Sequence, residues 1–518
     1  MFIPENPVPA QVFTLSDSIL SKTARGAGWT IGWRMSTRIL GVMSTLILAR
    51  LLVPADFGLV ALATGFAQGI LALSTLGIDE AVIRHPAATR EVYDTAFTIN
   101  LIRGLATALL VAGCAWPAAA FFNEPRLVPI LLVLAACSLI TAFENIGTIE
   151  FRRDFLFHQE FRLLVAPRLA AIAVTITVAL LWRTHWALVA GVATGQILGT
   201  GMGYVMHPYR PRLGLSAWRQ LAAFSFWSWA ISMAIIVRDR VDSFVIGRSL
   251  GLTQVGVYTV AGEIALMPTH ELASPLSRAC FSGFAAATRA GADTALVCLR
   301  ILGSMSFVML PVAAGISLVA APAVILAFGP AWAEAIVPVR ILGWVGAALV
   351  LGTVTSTLLS AHGLLRPALV INLLAMAVRI AAALALVGPY GLTGVAVAHA
   401  LTILLENVAY ATVTFRHFGI RGMDFLARTW RAVLATLLMA AVLTMNQLGV
   451  DTASPGLALC AAVSVGAGVY TGAVLVLWRV CGRPEGAEAD LLEMARRTLA
   501  GLGSKMRWLT RSRSGVSP

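Results

Sequence analysis

Apolar runs of about 20 residues, each long enough to cross a bilayer, recur from Gly28 to Val480 with only short polar breaks between them. A water-soluble chain has nowhere to bury so many such helices. Hydrophobic residues make up 58% of the 518 and charged residues only 12%, where a soluble domain carries about 25% charged residues. The sequence therefore predicts an all-α, polytopic membrane protein.

The runs divide into about 14 transmembrane helices. The first seven are Gly28–Leu52, Phe57–Gly77, Thr95–Ala118, Leu127–Gly147, Leu163–Trp182, Trp186–Met206 and Leu221–Gly247. The second seven are Thr253–Pro275, Cys298–Ala321, Ile336–Ser360, Pro367–Gly388, Tyr390–Phe415, Phe425–Asn446 and Gly456–Trp478. Pro311 and the Ala321–Pro322 step interrupt the ninth. Trp29, Trp33, Trp116, Trp182, Trp186, Trp430 and Trp478 fall near predicted ends, as an interfacial aromatic belt requires.

The net charge of +13 would suggest nucleic acid as partner of a soluble protein. Here it reads as topology, and no nucleic-acid partner is expected. With the N-terminus inside, the outer loops hold only Arg50, Arg126, Arg183 and Arg248, and the other loop arginines and lysines fall on the cytoplasmic side, as the positive-inside rule demands. Both termini are then cytoplasmic, in a multi-pass membrane protein. The six cysteines show no CxxC spacing, so neither disulfides nor a metal cluster is expected. The N-terminus lacks the apolar stretch of a cleaved signal peptide.

The chain also repeats itself. Arg50, Leu52, Gly58 and Ala63 recur 198 residues later as Arg248, Leu250, Gly256 and Ala261, which maps spans 1–2 onto spans 7–8. Six helices per copy give parallel repeats, a transporter arrangement with the pathway between two lobes. The expected organisation is a cytoplasmic segment 1–27, an N-lobe 28–206, a linker 207–220 and a C-lobe 221–415. Two further spans (425–478) and a basic cytoplasmic tail (479–518) complete it. The tail has the spacing of an amphipathic helix for an anionic leaflet.

Arginines inside spans cost about 2.5–3.5 kcal/mol each if they face lipid at mid-depth. Arg34, Arg38, Arg103, Arg168 and Arg379 lie there and are candidate anion ligands, the alternative being ion pairs that fix helix packing. Arg34, Arg38, Gly41 and Thr45 form one stripe on span 1, which carries no acid. Two guanidiniums a turn apart make a fork suited to phosphate oxygens. Arg238, Asp239, Arg240 and Asp242 cluster on span 7 after Ser225, Ser228 and Ser232, and Glu263, His270 and Glu271 follow on span 8. These seven are candidates for gating or coupling, with internal pairing such as Arg238 to Asp242 the simpler reading. His270-Glu271 does not begin a zinc HExxH motif, because position 274 is Ser. Gly191, Gly195, Gly199 and Gly203 are read as packing. The chain has no GxxxxGK[ST] loop, so ATP hydrolysis is set aside, and no cofactor is expected.

The runs Leu48–Gly58 and Leu76–Arg84, with Ile246–Gly251 and Val255–Tyr258 in the second half, resemble the polysaccharide-transport flippases of the multidrug/oligosaccharidyl-lipid/polysaccharide exporter superfamily. The resemblance covers roughly the first 415 residues and implies two six-helix lobes that alternate between inward- and outward-facing states. It also implies the cargo, a polyprenyl-pyrophosphate-linked oligosaccharide moved from the cytoplasmic to the periplasmic leaflet for exopolysaccharide or lipopolysaccharide synthesis. Membrane lipid and, beyond it, a polysaccharide polymerase and chain-length or export machinery are the implied partners. The chain is then not an enzyme. A multidrug antiporter of the same fold would want carboxylates and aromatics in its cavity, and a membrane polymerase or ligase would want a larger outer loop.

Overall fold

A computed structural model describes residues 36–73, 82, 89–154, 156–218, 226–266, 269, 280, 284, 293–445 and 455–482. Arg34, His270, Glu271, most of Leu76–Arg84 and the basic tail lie outside the described residues. Among those described, every regular element is helical, and nine helices are long and apolar enough to cross a membrane. The chain forms two compact units, Met1–Gly256 and Val257–Pro518.

The first unit begins with α1 (36–51) and α2 (Pro54–Leu73). It continues through α3 (Arg90–Gly113), α4 (Ala115–Phe122), α5 (Leu127–Ala142), α6 (Phe157–Trp182), α7 (Trp186–Met206) and α8 (Phe226–Ser249). Its core gathers Leu59, Leu62, Val111, Phe122, Ile130, Leu131, Leu134 and Val189 from α2 to α5 and α7. Lipid offers no hydrophobic drive for such contacts, so close fit and small residues must supply it. Along α7, Gly191 admits Thr175, Gly195 lies against Ala171, and Gly203 lies against Asn145; Gly199 has no neighbour within 4 Å.

Two differences from the sequence expectation have local causes. Span 3 starts at Arg90 rather than Thr95, because its polar first turns bind another part of the chain instead of lipid. The first unit also takes in α8, whereas the linker at 207–220 would place it with the second lobe. Phe244 of α8 packs near Phe66 and Phe122, and Arg240 bonds Gln68 of α2.

α9 (252–266) begins as the glycine motif recurs. A Cβ at Gly58 would overlap the carbonyl oxygen of Leu252 and lie 2.8 Å from the Gly256 nitrogen. Reciprocally, a Cβ at Gly256 would overlap the carbonyl oxygen of Pro54 and lie 2.9 Å from the Gly58 nitrogen. Gly58 and Gly256 are 198 residues apart, as are Pro54 and Leu252, so equivalent segments of the two copies pack against each other reciprocally.

The second unit holds α10 (Thr294–Leu318), α11 (Ala320–Phe328), α12 (Ile336–Ala361), α13 (Leu365–Phe418), α14 (Gly422–Met445) and α15 (Pro455–Val480). Asp293 caps α10 by accepting from the Ala295 and Leu296 amides at 2.9 and 3.3 Å. The interruption expected at Ala321–Pro322 falls instead at Val319, between α10 and α11, and Pro322 sits in the first turn of α11, where its missing N–H costs nothing. α13 covers two expected spans, divided at Gly391 (φ 55, ψ −135), a conformation reserved for glycine. α14 and α15 close against Ala314 of α10, and the Tyr470 hydroxyl donates to the Phe307 carbonyl at 2.6 Å. All six cysteines are free.

Candidate functional site

In the first unit the polar stripe of α1 meets α6. Arg168 Nη2 lies 3.5 Å from where a Cβ on Gly41 would stand, one turn beyond Arg38 on the same face of α1. The bare backbone at Gly41 lets an exposed guanidinium from α6 rest on the helix that carries Arg38. Arg103, half-buried on α3, donates from Nη2 to the Asn100 side-chain oxygen a turn earlier. Sequence spacing predicted the α1 stripe, but pairing across to α6 depends on tertiary packing.

The α8 cluster separates by burial. Arg238 is buried and pairs with the exposed Asp239 at 3.3 Å, and Asp242 is buried on the next turn. Arg240 reaches α2, its guanidinium lying over Gly65 and bonding Gln68. Gln68 carried no sequence signal, since one amide in an apolar helix has no spacing to mark it.

In the second unit Arg379 is 1% exposed at the middle of the first arm of α13. Its Nη1 donates to the His399 carbonyl at 3.2 Å, and its Nη2 contacts His399 Nδ1. Tyr258 of α9 contacts the same Nδ1 at 3.1 Å. An arginine cannot accept a hydrogen bond, so Nδ1 is the acceptor in this contact. Glu263, by contrast, is exposed on α9.

A second polar system lies where α3 starts and α7 ends. From His207 the chain leaves α7 and runs without helix to Leu215, pinned across the first turns of α3. The Tyr209 hydroxyl donates to Asp94 at 2.6 Å, and the Arg212 amide donates to the same carboxylate at 3.1 Å. The Gly214 amide donates to Thr98 and the Ala217 amide to Thr95. Asn145 Nδ2 donates to the carbonyls of Gly203, His207 and Tyr209, and His207 Nε2 meets Glu150 at 2.9 Å. Burial, then the bond to Asp94, pushes the Tyr209 phenol well above its ordinary value, which keeps it a donor. Sequence reading treated 207–220 as a linker and missed this strap, whose only signal was the run Asp94, Thr95 and Thr98 at the head of a span.

This architecture is found in solved transporters. It matches the lipid II flippase MurJ in its inward closed conformation with a TM-score of 0.69, at 12% identity over 88% of this chain and 99% of that one. It also matches an inward-facing multidrug resistance MATE family transporter of the MOP superfamily, with a TM-score of 0.57 at 17% identity over 74% of this chain and 94% of that one. The fold is thus that of the exporter superfamily that the motifs resemble. The chain belongs to the polysaccharide biosynthesis protein family, whose profile matches residues 47–337. The chain is 25% identical over 497 residues to the succinoglycan biosynthesis transport protein ExoT of Rhizobium meliloti (strain 1021), covering 93% of this chain and 97% of the relative. It is 22% identical over 348 residues to the lipopolysaccharide biosynthesis protein WzxC of Escherichia coli (strain K12), covering 66% and 71%.

Proposed function

We propose that this protein is a flippase carrying a polyprenyl-pyrophosphate-linked oligosaccharide from the cytoplasmic to the periplasmic leaflet of a bacterial inner membrane. It works by alternating access between an N-lobe (28–206) and a C-lobe (221–415), without ATP hydrolysis. The observation that carries the reading is the Arg168 guanidinium resting at Gly41, one turn from Arg38 on α1: intramembrane guanidiniums carried on neighbouring helices suit a pyrophosphate. The relatives' names, a succinoglycan transport protein and a lipopolysaccharide biosynthesis protein, support the same class of cargo.

In this mechanism Arg34, Arg38, Arg103 and Arg168 hold the pyrophosphate. Arg379 joins only in a conformation that releases it from His399, since its guanidinium is enclosed here. Arg238, Asp239, Arg240, Asp242, Glu263, His270 and Glu271 serve gating or coupling through ion pairs that exchange as the lobes move. In a deletion strain complemented with the double variant Arg38→Ala/Arg168→Ala, we expect loss of surface polymer and build-up of complete lipid-linked repeat units inside. The double lysine variant should restore part of the output, because charge remains while bidentate geometry is lost. Unchanged polymer would sink the assigned site. Repeat units reaching the periplasm without the gene would sink the flippase reading itself.

A further inference from the structure

The strap 207–217 turns backbone donors and the His207 and Tyr209 side chains inward and other side chains outward. Asp94, Thr95 and Thr98 accept the amides of Arg212, Ala217 and Gly214, and Ala217 is buried with Val92, Phe97 and Ile149. Facing away are Leu213 at 72% exposure, Leu215 at 47% and Trp218 at 51%, with Arg210 and Arg212 also exposed. The Arg210 guanidinium bonds the carbonyls of His207 and Tyr209 and lies 5.7 Å over the Tyr204 ring. The Arg212 guanidinium has no hydrogen bond or ion pair among the described residues. No Asp or Glu occurs between Met206 and Trp218. The strap lies where one helix long enough to cross a membrane, α3, begins and another, α7, ends.

We propose that this strap is a docking surface for anionic phospholipid headgroups in the leaflet it faces. Leucine and tryptophan beside arginine at a helix end fit the boundary between acyl chains and phosphates. The absence of acid on the strap makes the headgroup of choice a negative one such as phosphatidylglycerol. A guanidinium close to an anionic leaflet gains about fivefold in binding, and salt weakens it. That the leaflet is the cytoplasmic one rests on the orientation proposed above, but the lipid preference does not.

The test places the full chain in nanodiscs of phosphatidylcholine, with or without phosphatidylglycerol in both leaflets, so that neither orientation nor transport matters. Hydrogen exchange is read at the Arg212, Gly214 and Ala217 amides. Phosphatidylglycerol should slow exchange several-fold, and 1 M salt should remove the effect. Arg212→Gln should lose most of it, since only the guanidinium changes and the backbone bond to Asp94 remains; Arg212→Lys should keep it. Equal exchange in the two bilayers would overturn the proposal, as would a full lipid effect in Arg212→Gln.

Discussion

Single side chains decide the polar margins of this protein. Tyr209 holds Asp94 through one 2.6 Å bond, and a hydrogen bond to a charged group is worth about 2 kcal/mol. Tyr209→Phe should therefore lower thermal stability by about that much while leaving the helices intact by circular dichroism. On the loop after α4, Arg126 forks onto Glu124 with bonds of 2.7 and 2.8 Å. That hydrogen bonding holds the Glu124 carboxyl below the usual glutamate range. A carboxylate with a depressed folded value contributes stability above its unfolded value and loses it as pH falls through the folded one. Glu124→Gln should cost about 0.5 kcal/mol at neutral pH, as a largely exposed ion pair does. The gap to wild type should start to shrink as pH drops through about 4.3 and close below the folded value, in melting curves taken across that range.

Helices were legible in the sequence wherever lipid alone sets their composition. The apolar runs predicted α5, α7 and α12 to within a few residues at most of their starts, since burial in hydrocarbon leaves little choice of residue. Prediction failed where a helix end serves something other than lipid. The first turn of α3 is polar because Asp94, Thr95 and Thr98 hold the strap, and hydropathy alone cannot tell such a turn from a loop. The candidate site was legible only along single helices: the Arg38–Gly41 stripe shows in the spacing of α1, but Arg168 beside it and His399 around Arg379 require the fold. The two arms of α13 illustrate a further limit, since Gly388, Pro389 and Gly391 all invite a break and only the backbone shows that Gly391 takes it. Gly391→Ala should cost about 1–3 kcal/mol, measured as a fall in the thermal midpoint, whereas Gly388→Ala should be nearly neutral.

At the scale of the whole molecule, the repeat is the organising feature. Gly58 and Gly256 occupy equivalent places and each leaves room for the other copy's backbone. Gly58→Ala and Gly256→Ala should each destabilise this conformation. Because the residues touch, the double variant should depart from additivity by about 0.5–3 kcal/mol in a double-mutant cycle. Contacts between equivalent positions are those through which two identical chains associate. A pair of separate chains must change both sides of such a contact at once, since one gene encodes both. Here each copy has its own codons, so one can drift while the other stays. The arginines differ in this way: Arg34 and Arg38 correspond in sequence, 198 residues on, to Ser232 and Ile236. Joined in one polypeptide, the two copies are free to differ wherever the glycine contact does not bind them to each other.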